Sequence, residues 1–302
     1  MNRPVYVFTG FLDAGKTTSI KRTLVDWRFT ENEKTLIICM EEGDELYEEG
    51  FLKEGKSVVE YVDFDSFNAE LIKKLDEIHH PDRIFIEFNG MKDDRELLNT
   101  KLPNGFEFAQ IICIVDASKF KLFVNNMPQF MFNHVSVSET IVLNRYDGQD
   151  FKYLRNNIKS MNRYGVICLE DKDGNMSDFP TYELFDPNNL DISDDDYGLF
   201  YMDVVENVKR YENKDVKFNG FMIEKAKDAD IIGRYAMVCC ANDLQRFAIK
   251  VTGLKEKLEV GKYYQVEGVI RLDKTPKGIR LYIEGKKASE IDKPEQEYVN
   301  FN

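Results

Sequence analysis

Eight residues, Gly10-Phe11-Leu12-Asp13-Ala14-Gly15-Lys16-Thr17, constrain this chain more than any other feature. They read G-x-x-x-x-G-K-T, a pattern whose glycines let successive backbone N–H groups converge on phosphate oxygens. An apolar run, Val5 to Phe8, precedes them and reads as a buried strand. Thr17 to Phe29 follows, with Ile20, Leu24 and Trp27 at helical spacing. Strand, glycine loop and helix in that order bring a helix N-terminus, with the positive end of its dipole, to the loop. The spacing predicts that Lys16 reaches the terminal phosphates and that the Thr17 hydroxyl holds Mg²⁺. Gly10, Asp13, Ala14, Gly15 and Thr18 are then the further cofactor-binding residues of the loop.

The strand–helix alternation continues for the first 185 residues. Strands are predicted at Val5–Phe8, Thr35–Cys39, Val58–Phe64, Arg83–Glu87, Ile111–Val115, Thr140–Leu143 and Val166–Leu169. Several are unbroken β-branched runs, as in parallel strands buried on both faces. Helical stretches lie between them, clearest at Phe67–His79 and Phe151–Arg163. The pattern predicts a doubly wound, mostly parallel α/β domain over 1–185. An acidic stretch at 186–198, with Pro187 and the run Asp191 to Asp196, reads as a linker. Beyond it, period-two alternation at Val216/Phe218, Phe247/Ile249/Val251, Val266/Gly268/Ile270 and Ile279/Leu281/Ile283 predicts a small all-β barrel of OB type over 199–290. An antiparallel sandwich would read similarly. Residues 291–302 form a tail.

A net charge of −13 argues against coating nucleic acid or an anionic membrane, and no apolar run approaches a membrane span. The N-terminus enters the first strand with no charged-then-apolar leader, and the five cysteines are scattered. Both point to the cytoplasm.

Three later segments refine the chemistry. Arg83 to Glu87 is an apolar strand ending in an acid, with Gly90 three residues on. That places the Glu87 carboxylate to contact Mg²⁺ and the Gly90 N–H to approach a terminal phosphate. Asn144-Arg145-Tyr146-Asp147 resembles the N-K-x-D motif of guanine recognition, with arginine in place of lysine. Asp147 would accept from the guanine N1–H and exocyclic amine, a donor pair that adenine lacks. Asn144 would brace the loop, and the Arg145 stem would cover the base. Glu41, after the second strand, falls where a switch-type loop contributes to the metal or to a positioned water; a solvated acidic loop reads the same. Lys16, Glu87 and Glu41 are thus the candidate catalytic residues.

Taken with these motifs, Phe8 to Thr18 resembles the G-F-L-G-A-G-K-T-T opening of CobW-like GTPases, relatives of hydrogenase and urease maturation factors. Glu87 and Gly90 match the family's E-x-x-G, Val115-Asp116-Ala117 its V-V-D-A, and Met40-Glu41 with Gly43 its N-E-x-G without the asparagine. The resemblance implies a Mg²⁺-dependent GTP-binding protein coupled to the β domain, in metal homeostasis or metallocofactor delivery. No segment marks an arginine finger, so intrinsic hydrolysis is expected to be slow, with a homodimer mate or a metal-dependent client protein supplying that cation. A non-catalytic, nucleotide-dependent binding module in which the β domain does the recognition is the alternative. The family's C-x-C-C is absent, so GTP binding is carried by matching residues and cargo-metal binding is not.

Gly233 to Asp243 resembles the Cys-Cys OB-like domain of predicted permease-associated proteins. Its Cys239 and Cys240 would be the ligands of any Zn²⁺ outside the nucleotide site, although strand neighbours point to opposite faces and one core and one partly exposed thiol is the favoured reading. The three histidines show no ligand spacing. If the barrel folds back onto the nucleotide face, Arg234, beside the cysteines, is a candidate within the chain for an arginine that neutralises charge on a transferring phosphoryl group.

Overall fold

The computed structural model describes residues 2–26, 33–41, 43, 45–178, 185–237, 244–275, 278–295 and 297–299. Trp27 and Phe29, foreseen in the first helix, and Cys239 and Cys240 lie outside the described residues. The chain divides into two compact units, 1–179 and 180–302.

The first unit is an eight-stranded sheet. In chain order its strands are β1 (Arg3–Thr9), β2 (Thr35–Cys39), β3 (Ser57–Tyr61), β4 (Arg83–Glu87), β5 (Phe106–Asp116), β6 (Thr140–Tyr146), β7 (Val166–Asp171) and β8 (Met176–Asp178). They lie side by side as β3-β2-β4-β1-β5-β6-β7-β8, all parallel except β8, which folds back on β7. β2 and β4 are buried along their whole length, as their unbroken apolar sequences demand. Alternate residues part to opposite faces. Val5, Val7, Ile38 and Ile86 enter one core, while Phe8, Ile37 and Phe85 enter another with Ile20 and Leu24 of the first helix. The helices are α1 (Lys16–Val25), α2 (Glu49–Glu54), α3 (Ala69–His79), α4 (Asp94–Leu98), α5 (Phe120–Asn126), α6 (Pro128–Ser136) and α7 (Phe151–Met161). Asn68 and Asp150 cap α3 and α7 by accepting from backbone N–H groups of their first turns. After β1 the chain crosses to β2 on one side, and β5 later pairs on the other. The loop after β1 therefore opens where strand order reverses, the place where such sheets bind ligands.

The second unit begins with α8 (Tyr197–Glu206) and continues with β9 (Asp215–Ala226), β10 (Ala229–Met237), β11 (Leu244–Thr252), β12 (Tyr263–Thr275), β13 (Gly278–Ile291) and the short β14 (Tyr298–Val299). β9 pairs with β10 and β12, β10 with β11, β11 with β13 in parallel, and β13 with β12. That circuit closes a five-stranded barrel with OB connectivity. The barrel expectation holds over a wider span than 199–290. Leu190 and Ile192 are buried in the same core as Phe200, Phe218 and Val266, and Lys217 exchanges backbone hydrogen bonds with Leu190 and Ile192. The stretch read as a solvated linker thus supplies apolar side chains to the unit, because two isolated aliphatics among aspartates suffice once a strand is there to receive them. β14 likewise adds to β10 from within the segment read as a tail.

Candidate nucleotide site

The loop after β1 is shaped by its backbone. Gly10 has φ 130°, and a Cβ there would stand 2.1 Å from the Ile114 carbonyl oxygen of β5. Gly15, at φ 100°, precedes α1 and leaves the helix start without a side-chain cap. Asp13 also adopts a left-handed conformation, φ 58°, which a short polar side chain tolerates. The amides at the start of α1 therefore face a cleft of about 210 Å³ lined by Asp13, Gly15, Lys16, Thr17, Glu41, Glu45, Glu87 and Arg145.

Lys16 is buried, and its Nζ donates to the carbonyls of Gly10 and Phe11, both at 2.8 Å. The same ammonium pairs with the Glu41 carboxylate, whose other oxygen accepts from the Gly90 N–H at 2.9 Å. Glu41 therefore joins the two donors expected to meet a terminal phosphate. Gly90 is held close to the loop. A Cβ on it would lie 2.4 Å from the Gly10 carbonyl oxygen and 2.8 Å from the Leu12 nitrogen.

The Thr17 hydroxyl donates to Glu87 Oε1 at 2.6 Å. Glu87 closes β4 with 2% of its surface exposed and accepts from the Tyr47 hydroxyl and from the Cys39 thiol at 3.7 Å. Burial pushes its carboxyl above the ordinary range, against the hydrogen bonds from Thr17 and Tyr47 and the charge of Lys16. Burial and the adjacent Glu87 push the Cys39 thiol up to about 12. That leaves a protonated core thiol. One hydroxyl and one carboxylate on facing elements are hard oxygen donors of the kind Mg²⁺ takes, so Thr17 and Glu87 fit that ion.

Of the predicted base-reading residues, Asn144 and Arg145 contact the loop. Asn144 Nδ2 donates to the Ala14 carbonyl at 2.5 Å, bracing the loop from β6. Arg145 Nη1 donates to the Asp13 carbonyl at 3.2 Å and to Asp116 Oδ2 at 2.6 Å. Burial works to raise Asp116, but hydrogen bonds from Ser118 and Arg145 bring it below the ordinary carboxylate range. Asp147 is exposed, and its backbone N–H is held by Gln149 Oε1 at 2.8 Å.

The site thus gathers Gly10, Asp13, Ala14, Gly15, Lys16, Thr17, Glu41, Glu87, Gly90, Asn144 and Arg145. Thr18 also lines the cleft, and its hydroxyl donates to Glu45. Glu41, the candidate to position water, is engaged by Lys16, and Asp116 is engaged by Arg145. Arg234 is corrected outright. It is 2% exposed within the second unit and donates to the Asp194 carbonyl at 2.7 Å, so it cannot serve as a mobile cation. In the barrel, Arg271 pairs with Glu284 and Lys286 with Asp215. Among the described residues no group of three or more His, Cys, Asp and Glu is arranged to hold a metal, and no helix is long and apolar enough to cross a membrane. Sequence reasoning missed Tyr47 and Glu45. Both sit in a stretch with no periodic pattern, where only the presence of a buried acid nearby would have singled them out.

Comparison with known proteins follows the same division. The DUF1980 C-terminal domain matches residues 170–301. No curated protein matches the chain at a significant level. Solved structures that resemble it include the following two. The hydrogenase maturation factor HypB from Archaeoglobus fulgidus is 17% identical, with 56% of this chain and 81% of that one covered and a TM-score of 0.41. A Zn(II)-bound triple mutant of the YjiA GTPase is 16% identical, with 94% and 89% covered and a TM-score of 0.46. The nucleotide-binding domain of the CobW/HypB/UreG family matches residues 4–165, more than half of the chain and the whole of the phosphate site, and the protein belongs to that family.

Proposed function

We propose that the protein is a Mg²⁺-dependent GTP-binding protein that hydrolyses GTP slowly and couples its nucleotide state to the barrel unit, in metal homeostasis or metallocofactor delivery. The observation that carries the reading is the convergence of Lys16 Nζ and the Gly90 N–H on one carboxylate at the N-terminus of α1. Two donors and a helix dipole aimed at one anion form a phosphate site. A terminal phosphate would displace Glu41 from both. Mg²⁺ bound by Thr17 and Glu87 would neutralise charge on the phosphate oxygens. Asp147, exposed three residues after Asn144, would accept from guanine.

Hydrolysis needs a cation for the charge that develops on the transferring group. Among the described residues that line the cleft, Lys16 is left to fill that role, since Arg145 is committed to Asp116 and Asp13. A client protein or a second copy of the chain is the source of a further cation, worth about 10³–10⁵ in rate. Single-turnover hydrolysis measured over a wide protein concentration range tests this. The rate should rise with concentration or with client, and Lys16→Ala should abolish it. Turnover of tens per second from dilute protein would contradict the proposal. The engagement of Glu41 by Lys16 favours a second reading, a non-catalytic nucleotide-dependent binding module. Phosphate release at background from protein saturated with GTP would select it.

A further inference from the structure

The C-terminal half of α6 turns His134 fully inward. Both ring nitrogens meet polar partners. Nδ1 lies 2.6 Å from Asp94 Oδ2 and 2.8 Å from Thr9 Oγ1, and Nε2 lies 3.0 Å from the Gly90 carbonyl oxygen. The Thr9 hydroxyl gives its own proton to Asp94 Oδ1, so it accepts from the ring. The Gly90 carbonyl can only accept. Nε2 therefore carries a proton, and a second proton lies between Nδ1 and the Asp94 carboxyl. The ring cannot turn from Gly90 without leaving a buried carbonyl unpaired.

Every group that the ring touches borders the phosphate loop. Thr9 ends β1 immediately before Gly10. Phe11 meets the imidazole edge-on, centroids 5.6 Å apart, and the Phe11 carbonyl accepts from Lys16. Gly90 is pressed against the loop on one side and held by His134 on the other. Asp94 opens α4, the helix that follows Gly90, and is itself 1% exposed. One buried ring thus ties together the strand end, the loop and the turn that carries the Gly90 N–H.

We propose that His134, oriented by Asp94, is a positioning residue that sets Gly90 against the phosphate loop and so determines discrimination between a nucleoside triphosphate and its diphosphate. The proposal rests on the guanine-nucleotide reading of the site. In that reading the Gly90 N–H meets the terminal phosphate, which a diphosphate lacks, so loosening Gly90 costs the triphosphate alone. Asparagine at 134 is too short to span from Asp94 to Gly90, whereas the longer glutamine amide can still donate to the carbonyl.

The test compares binding of fluorescent GDP and a fluorescent non-hydrolysable GTP analogue by the full chain and by His134→Asn and His134→Gln. His134→Asn should weaken the triphosphate about tenfold, the effect of one buried hydrogen bond, and leave GDP within about twofold. His134→Gln should recover most of the loss. Equal weakening of both nucleotides, or a glutamine variant no better than asparagine, would make His134 structural and overturn the proposal. Nitrogen NMR of the wild-type imidazole without nucleotide gives a second readout that needs no variant to fold. Nε2 should show the shift of a protonated nitrogen, and an unprotonated Nε2 would overturn the clamp. Wild-type protein that binds neither nucleotide would defeat the guanine reading and with it the discrimination, while the NMR result still judges the clamp.

Discussion

Glu41 occupies the donors that a terminal phosphate needs, and this gives the residue scale its clearest prediction. GDP ends at its β-phosphate, which would meet Lys16 but not the Gly90 N–H, so it competes with Glu41 for one donor; GTP must displace the carboxylate from both. Glu41→Gln should therefore tighten GTP several-fold and GDP less, because the neutral amide holds an ammonium less strongly. Competition titration of the two nucleotides checks this, and weaker GTP binding would count against it. Glu87 yields a pH prediction. Its carboxyl is raised by burial, so folding favours the protonated form, and the wild type loses stability as pH rises from the unfolded value, about 4.5, through the folded one. Glu87→Gln lacks this loss. The Tm difference, glutamine minus glutamate, should grow as pH rises above about 4.5, even as Mg²⁺-dependent nucleotide binding falls. A pH-independent difference would contradict the assignment. At this scale the sequence revealed Lys16, Thr17, Glu87, Gly90 and Asn144, because each has a fixed offset from a strand end. Tyr47 and His134 stayed hidden because their partners lie 40 residues or more away in the chain, at Glu87, Asp94, Gly90 and Thr9.

Strands were more legible than short helices. β2 and β4 match their predicted bounds, since a run buried on both faces has sharp polar ends. α2, α4, α5 and α6 span five to nine residues, too few turns for an apolar period to stand out, and went unread. β8 carries no apolar side chain but its methionine and pairs only by backbone, so no pattern marked it. Phe64, placed in a strand by its hydrophobicity, instead belongs to a single 3₁₀ turn and packs edge-on against Phe88 at 5.5 Å. The turn after β4 is the element on which the phosphate site depends most. Gly90→Ala should lower stability by about 1–3 kcal/mol, the usual cost of overpacking, since a methyl group there would strike the backbone of Gly10 to Leu12. Thermal unfolding measures it. An unchanged Tm would show that the turn and the loop are not in contact as described.

On the scale of the whole molecule, two units with separate cores sit in one chain, and the family match covers the first while the DUF1980 match covers the second. Their separate identities were legible because the hydrophobic period changes from long buried runs to strict alternation. The true start of the second unit was not, because Leu190 and Ile192 are single apolar residues in an acidic stretch. The central claim is that the first unit reads guanine through Asp147 and phosphate through the loop. Titration of the full chain with fluorescent GTP and ATP in Mg²⁺ tests it most directly. GTP should bind saturably and at least about a hundredfold tighter than ATP, because a carboxylate that meets no donor on adenine rejects it, and Asp147→Asn should shift the preference toward xanthosine triphosphate. Equal affinity of the wild type for GTP and ATP, or no binding of either, would contradict it.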